Sequence, residues 1–373
     1  MKYQPAQYME FAKNLDVSRA ECVLAFSGIE CPYTFEELGI DSRVFKEVKF
    51  HPYGNDELKE AIAQRYKVTP DQVLIPGGGT SLPNFLIGAA LLQAGDRVLL
   101  ESPTYEPLES TIAFSGAEIV HFDRRFDNRC DLDLDGLWRL IRPPVKLIVL
   151  TRLHNPSGRD IPEKSLLQLA EKAEGIDAYV LMDEVYLDFL PPEKIKVSAS
   201  LHPRLITTAS LTKVYGFGGL RMGWAIGPRD IIWNCCRINN LLGVNPPTIP
   251  EQIALTLFRN GSLDRIGEWV RRRAAENLLK LDHFLSNQPA LEWVKPDGGI
   301  MALLRLKSGR DSGSLVEHLR EAHKTLVMPG RFFGLHDGFR LGFGIKPDQL
   351  LEGLKRLGTA LNEMHARGDS SNL

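Results

Sequence analysis

Apolar residues fall into two alternating patterns from about residue 56 onward. DELKEAIAQRY (56–66) spaces them at helical intervals behind an acidic first turn, which predicts an amphipathic helix. VLI (73–75) predicts a short buried strand, leading through PGGGTS (76–81) into the apolar helix LPNFLIGAALLQ. RVLLE (97–101), EIVHF (118–122), KLIVL (146–150) and AYVLMD (178–183) read as further buried strands, with helices near 104–114, 133–141 and 163–174 between them. LITTAS (205–210) and GWAIG (223–227) complete the set. Strands alternating with helices imply crossover connections and a mostly parallel sheet covered on both faces, an α/β fold.

Beyond about residue 229 the pattern changes to long helices, of which GEWVRRRAAENLLKLDHFL (267–285) is the clearest. A strand-like GGIMALLRL (298–306), a helix, FRLGF (339–343) and a last helix (347–365) follow. These segments predict a smaller α+β domain. The expected organisation is a large domain over 46–265, a small one over 266–373, and an N-terminal segment, 1–45, that packs with the small domain.

Composition narrows the class. The 373 residues are 43% hydrophobic and 25% charged, as in ordinary globular proteins. A formal charge of −2 gives no basic field for nucleic acid, and Arg271–Arg272–Arg273 reads as a solvated helix face. The five cysteines form no C-x-x-C pair and suit reduced thiols, and no metal site is expected. No run approaches the ~20 apolar residues of a membrane span, and MKYQPAQYMEFAKNL lacks an apolar signal core, so a cytoplasmic protein is expected. The polar GDSSNL tail is expected to fray.

Ligands of open parallel sheets bind beyond the carboxyl ends of strands, so the residues after each predicted strand carry the candidate chemistry. GGGTS runs straight into a helix, and free N–H groups at a helix start suit phosphate. It is neither a Walker loop nor G-x-G-x-x-G. Tyr105, in SPTYEP, could lie against a planar ligand. Asn155, in HNPSG, is held extended by the following proline. Asp183 ends an apolar strand, where a carboxylate is costly to bury without a partner; Tyr186 follows it. LITTAS delivers Ser210 and then Lys213. A desolvated lysine has a lowered pKa and becomes an amine nucleophile, whose natural electrophile is an aldehyde. Arg221 could serve an anion nearby, and Arg340, in GFRLGFG, could hold a carboxylate in two parallel hydrogen bonds. Each admits a plain structural account: a tight turn, a packing tyrosine, an Asx turn, a cap or internal ion pair, a surface arginine. Pyridoxal 5′-phosphate would satisfy all of them at once, with a phosphate, an aldehyde, a ring, a ring nitrogen and a phenolate oxygen.

HNPSG, MDEVY, SLTK…GLRMGW and FRLGF, in that order between about residues 53 and 343, resemble the fold type I pyridoxal-phosphate enzymes, the aspartate aminotransferase superfamily, class I/II. The resemblance implies a seven-stranded sheet between helices and transfer of an amino group between an L-amino acid and a 2-oxo acid. It makes Lys213 the Schiff-base lysine and the base that moves the α-proton. It pairs Asp183 with the pyridine nitrogen, sets Asn155 and Tyr186 on the ring oxygen, and stacks Tyr105 on the ring. Gly79, Thr80, Ser210 and Arg221 take the phosphate, and Arg340 the substrate carboxylate. A homodimer with the active site at the subunit interface is also implied. Two departures stand out. The family's cross-subunit phosphate tyrosine falls in KFHPYGND, where Phe50 occupies its place or Tyr53 serves from a shifted position. No second arginine is evident for a side-chain carboxylate. The same cofactor residues serve carbon–sulfur lyases, amino-acid-phosphate decarboxylases and amino-acid cyclases, so a lyase or decarboxylase is the alternative. Ser210–Lys213 also spells S-x-x-K, but the S-D-N and K-T-G elements of serine acyl enzymes are missing.

Overall fold

The computed structural model describes residues 5–46 and 49–366; the GDSSNL tail lies outside them. Helix α1 (Gln7–Asn14) and strand β1 (Cys22–Leu24) precede α2 (Asp56–Tyr66). Next come β2 (Val73–Leu74), α3 (Ser81–Leu91), β3 (Arg97–Ser102), α4 (Glu106–Ala113) and β4 (Glu118–Asp123). They are followed by α5 (Leu134–Trp138), β5 (Val145–Thr151), α6 (Glu163–Glu174), β6 (Tyr179–Asp183), β7 (Leu205–Ser210) and β8 (Gly223–Ile226). The remainder is α7 (Arg229–Asn239), α8 (Thr248–Arg259), α9 (Ser262–Ser286), β9 (Leu291–Val294) and β10 (Met301–Leu306). It ends with α10 (Gly313–Glu321), β11 (Thr325–Pro329), β12 (Gly338–Gly342) and α11 (Pro347–Ala366).

The seven apolar runs from Val73 to Ile226 pair into one sheet, ordered β2-β8-β7-β6-β5-β3-β4. Its pairs are parallel except at β8, which runs against both β7 and β2. That reversal returns the 211–222 loop, with Lys213 and Arg221, to the end of the sheet where β7 delivered it. Alternate residues serve opposite faces. Leu147, Val149, Leu181 and Ile206 pack against Leu86, Ile87 and Leu108. Ile148, Leu150, Val180 and Met182 pack against Leu166 and Leu169. Each such fully buried side chain stabilises the fold by about 1.5–3 kcal/mol, which explains runs without alternation.

The second sheet, ordered β1-β11-β12-β10-β9, is antiparallel apart from the β1–β11 pair. The N-terminal segment thus contributes a strand beside elements of the C-terminal third. β1, β9 and β11 are three to five residues long, too short to declare a period, and α1 also escaped the pattern. Some predicted elements are trimmed. α5 stops at Trp138, ahead of the Pro143–Pro144 pair that cannot continue a helix. β10 starts only at Met301, because Gly299 adopts φ +88° in a turn.

Candidate active site

The carboxyl ends of the central strands converge on one cavity of about 230 Å³. Of the residues singled out above, Thr80, Tyr105, Asn155, Asp183, Tyr186, Lys213 and Arg221 line it. Asp183 is the last residue of β6 and Thr151 the last of β5, so strand register sets their height. Thr151 also fixes Asn155, whose backbone N–H donates to its hydroxyl at 3.0 Å.

Lys213 lies at the heart of the cavity. Its Nζ donates to the Ser27 hydroxyl at 3.3 Å, and Ser27 also hydrogen-bonds Tyr186. Burial, then the charges of Arg340 and Arg221, push its pKa down to about 8, against a smaller pull from Asp183. The amine is therefore poised to lose its proton near neutrality. Asp183 shows the opposite response to the same dry setting. Burial raises its carboxyl to about 6, although Asn84 Nδ2 donates to Oδ2 at 3.0 Å and Val185 N–H to Oδ1 at 3.2 Å. Asn84 is itself fixed by the Thr208 hydroxyl, which donates to its Oδ1 at 2.6 Å.

Thr80 and Arg221, also in the cavity lining, come from two loops that meet at Gly79. Gly79 and Arg221 both adopt left-handed backbone, at φ +65° and +51°. For arginine this costs about 1–2 kcal/mol, so the surrounding contacts must hold it. Gly79 N–H donates to the Arg221 carbonyl at 2.9 Å, and Arg221 Nη2 donates to the Gly78 carbonyl at 2.8 Å. A Cβ at Gly223 would come 2.1 Å from the Gly79 carbonyl, so only glycine lets the two loops meet. α3 starts here, and Thr80 makes no side-chain cap to it. First-turn N–H groups and a guanidinium are thereby left at one place. Ser210 turns its hydroxyl to Thr212 at 2.7 Å, and it is Thr212 that lines the cavity.

Arg340, on β12, is fully buried. Nη1 donates to Asn155 Oδ1 at 2.8 Å, and Nη2 donates to the Tyr8 hydroxyl and the Ala25 carbonyl, both at 3.0 Å. Among the described residues its Nε has no hydrogen-bond partner. Tyr8 stands edge-on to Tyr105, with ring centroids 5.2 Å apart. The Glu106 carboxylate accepts the N–H groups of Gln7 and Tyr8 and so anchors α1 over the site. Tyr53 lies elsewhere in its own chain, exposed and edge-on to Trp233 with ring centroids 5.2 Å apart.

Sequence reasoning missed Tyr8, Ser27, Asn84 and Thr212. Asn84 had a signal, a single amide in the apolar run LPNFLIGAALL. Tyr8 and Ser27 had none, because they come from the N-terminal segment without periodic pattern.

The aminotransferase class I and II family profile matches residues 47–357, and the chain belongs to that family. It is 28% identical to capreomycidine synthase of Streptomyces vinaceus, over 94% of this chain and 92% of that protein. It is 26% identical to the arginine–pyruvate transaminase AruH of Pseudomonas aeruginosa, over 83% and 81%. A crystal structure of a PLP-dependent aminotransferase from Streptococcus suis superposes with a TM-score of 0.89 at 26% identity, covering 97% of this chain and 99% of that one. The fold is therefore fold type I, and the cofactor of the family is pyridoxal phosphate.

The residues present fit that group. A buried amine without a carboxylate hydrogen bond, a desolvated carboxyl and an uncapped helix start beside an arginine all open on one cavity. One expectation follows for the apoenzyme. Only the unprotonated Lys213 amine can attack an aldehyde, so cofactor capture should slow about tenfold per unit below pH 8 and level off above it. Stopped-flow absorbance on mixing apoenzyme with cofactor at fixed ionic strength checks this.

Proposed function

We propose that the protein transfers an amino group between an L-amino acid and a 2-oxo acid, with Lys213 as both tether and proton carrier. The carrying observation is the Lys213 amine, buried in one cavity with the Asp183 carboxyl and depressed in pKa by burial and by the charges of Arg340 and Arg221. When bound, the cofactor supplies an aldehyde for amines and a ring that takes up the electron pair left by a departing proton. Arg221, Thr80 and the start of α3 hold its phosphate, with Ser210 acting through Thr212; the Gly79 N–H is taken by the Arg221 carbonyl, so Gly79 serves by bringing the two loops together. Asp183 keeps a proton on the ring nitrogen, Asn155 and Tyr186 bond the ring oxygen, and Tyr105 covers the ring. Arg340 binds the substrate carboxylate. Both Nη2 protons are already engaged, so a carboxylate taking that nitrogen must displace the Tyr8 hydroxyl or share it. Lys213 Nζ, once free, accepts the substrate's α-proton and returns it.

The active form is a homodimer on this reading. Phe50, Tyr53, Trp233, Leu241, Leu242 and Val244 are exposed, and Pro247 at the end of that loop closes on Gly77 beside the phosphate cradle. A partner covering these residues would bring Tyr53 toward the other subunit's cradle, and light scattering should return the mass of two chains. All five cysteines are unpaired, which favours a reducing compartment such as the cytoplasm, and no helix among the described residues is long and apolar enough to cross a membrane.

A second reading has one observation in its favour. The match to capreomycidine synthase covers 94% of this chain, against 83% for the arginine–pyruvate transaminase, so a cyclase or lyase outcome on the same cofactor is the competitor. Half-reaction spectroscopy separates the two. Transfer requires that an amino acid, arginine included in the panel, bleaches the aldehyde absorbance and that a 2-oxo acid restores it. Product release with the aldehyde absorbance retained, and no demand for an oxo acid, would establish the competitor.

A further inference from the structure

Outside the cavity, three side chains from three separate elements meet at one point. His318 lies on α10, His323 in the turn before β11, and Glu363 on α11. His318 Nε2 is 2.7 Å and His323 Nε2 3.0 Å from the same oxygen, Glu363 Oε2. We propose that these residues form a binding site for a divalent transition-metal ion of the zinc type.

The donor set is the first argument. Two imidazoles and one carboxylate are a recurrent zinc set, and the site keeps room for water as a further ligand. The second argument is geometry. Ligand bonds of about 2.0–2.1 Å at right-angled to tetrahedral openings hold donor atoms roughly 2.9–3.4 Å apart. The two measured separations lie at or within a few tenths of an ångström of that range, and all three donor atoms lie within 4.8 Å of one another. The third is preorganisation. Both imidazoles are mostly buried, with side-chain exposures of 15% and 14%, whereas the carboxylate is 39% exposed and leaves an open side. The His323 carbonyl accepts the Thr325 hydroxyl at 2.9 Å and Arg356 Nη1 at 2.8 Å, which pins the turn. Arg356 is the nearby cation, and its charge is already taken by Glu352 and Glu21.

The charge count also suits a cation. Glu363 supplies a negative charge, and both Nε2 atoms face its Oε2. Metal binding requires both Nε2 lone pairs, with any remaining ring proton on Nδ1. Bound metal would tie α10, the edge of β11 and α11 together, stabilising the small sheet rather than serving the chemistry of Lys213. The spacing H-x4-H with an acid 40 residues on matches no compact sequence motif, which is why the set emerged only in three dimensions.

The test uses tag-free holoenzyme stripped with chelator, dialysed against Zn²⁺ at pH 7.5 and assayed for bound metal. Wild type should retain one zinc per chain and melt at a higher temperature with zinc than without. His323→Gln and Glu363→Gln should each weaken binding at least tenfold. Co²⁺ should give visible ligand-field bands that the His318→Gln/His323→Gln double variant lacks. Unchanged cofactor absorbance in each variant certifies its fold. Failure of wild type to retain zinc, or equal zinc binding by wild type and the double variant, would overturn the proposal. Neither result bears on the amino-transfer reading.

Discussion

Lys213→Ala is expected to reduce turnover by about 10⁴-fold or more, because one side chain is asked to tether the cofactor and to move a proton that is itself worth 10²–10⁴-fold. Borohydride reduction followed by peptide mapping should find the cofactor on the 213 peptide of wild type and on no peptide of the variant. The loss should not come from unfolding. The amine is desolvated and makes one hydrogen bond, to Ser27, so the apoenzyme should melt no lower than wild type. Added small amines should recover part of the proton-transfer step, since the cavity left by the side chain opens on the same reacting atoms. A variant that keeps more than about one per cent of wild-type turnover would remove Lys213 from the chemistry, because a general base alone accounts for more than that.

The sheet and most of the site were legible because they obey the same rule. Strands buried on both faces are mostly apolar, so the polar residues that close each run mark the sheet end where ligands bind. Asp183 and, through HNPSG, Asn155 were singled out that way and line the cavity; Ser210 was singled out too, but Thr212 lines the cavity in its stead. Arg340 was read as a carboxylate clamp from a glycine-flanked strand, yet its full burial depended on a partner invisible in the sequence, the Tyr8–Ala25 segment. That segment contributes a helix of eight residues and a strand of three, and its contacts with the site are with residues from 96 to 332 positions away. Periodicity reports only local structure, so such long-range placement left no trace. Ser210 illustrates a subtler limit. The motif fixes its position on β7, but the rotamer that hands its hydroxyl to Thr212 is decided by the turn itself.

Asp183 separates function from stability most sharply, and Asp183→Asn should move them in opposite directions. A buried charge pair that loses one member costs about 3–5 kcal/mol, which at 1.36 kcal/mol per tenfold is roughly 10²–10⁴-fold in rate. Turnover of the holoenzyme should fall by that factor, with Arg340-dependent substrate binding little changed. The apoenzyme should respond the other way. Its Asp183 carboxyl is raised to about 6 from the ordinary 3.8, chiefly by burial. Between those values the folded protein holds more protons than the unfolded chain, so this group makes stability fall as pH rises. The asparagine variant carries no such group. Its apoenzyme should therefore match wild type near pH 4 and gain on it through pH 6, by up to a few kcal/mol above that, less whatever the new amide loses where it meets Asn84 Nδ2. Denaturant melts of the two apoproteins at pH 4, 5, 6 and 7 give the comparison. A variant that turns over normally, or whose apoenzyme is clearly less stable than wild type at pH 7, would mean that the carboxylate is kept for the fold. The opposite pair of results identifies a charge held out of water, at a cost to the empty protein, for a cation that arrives with the cofactor.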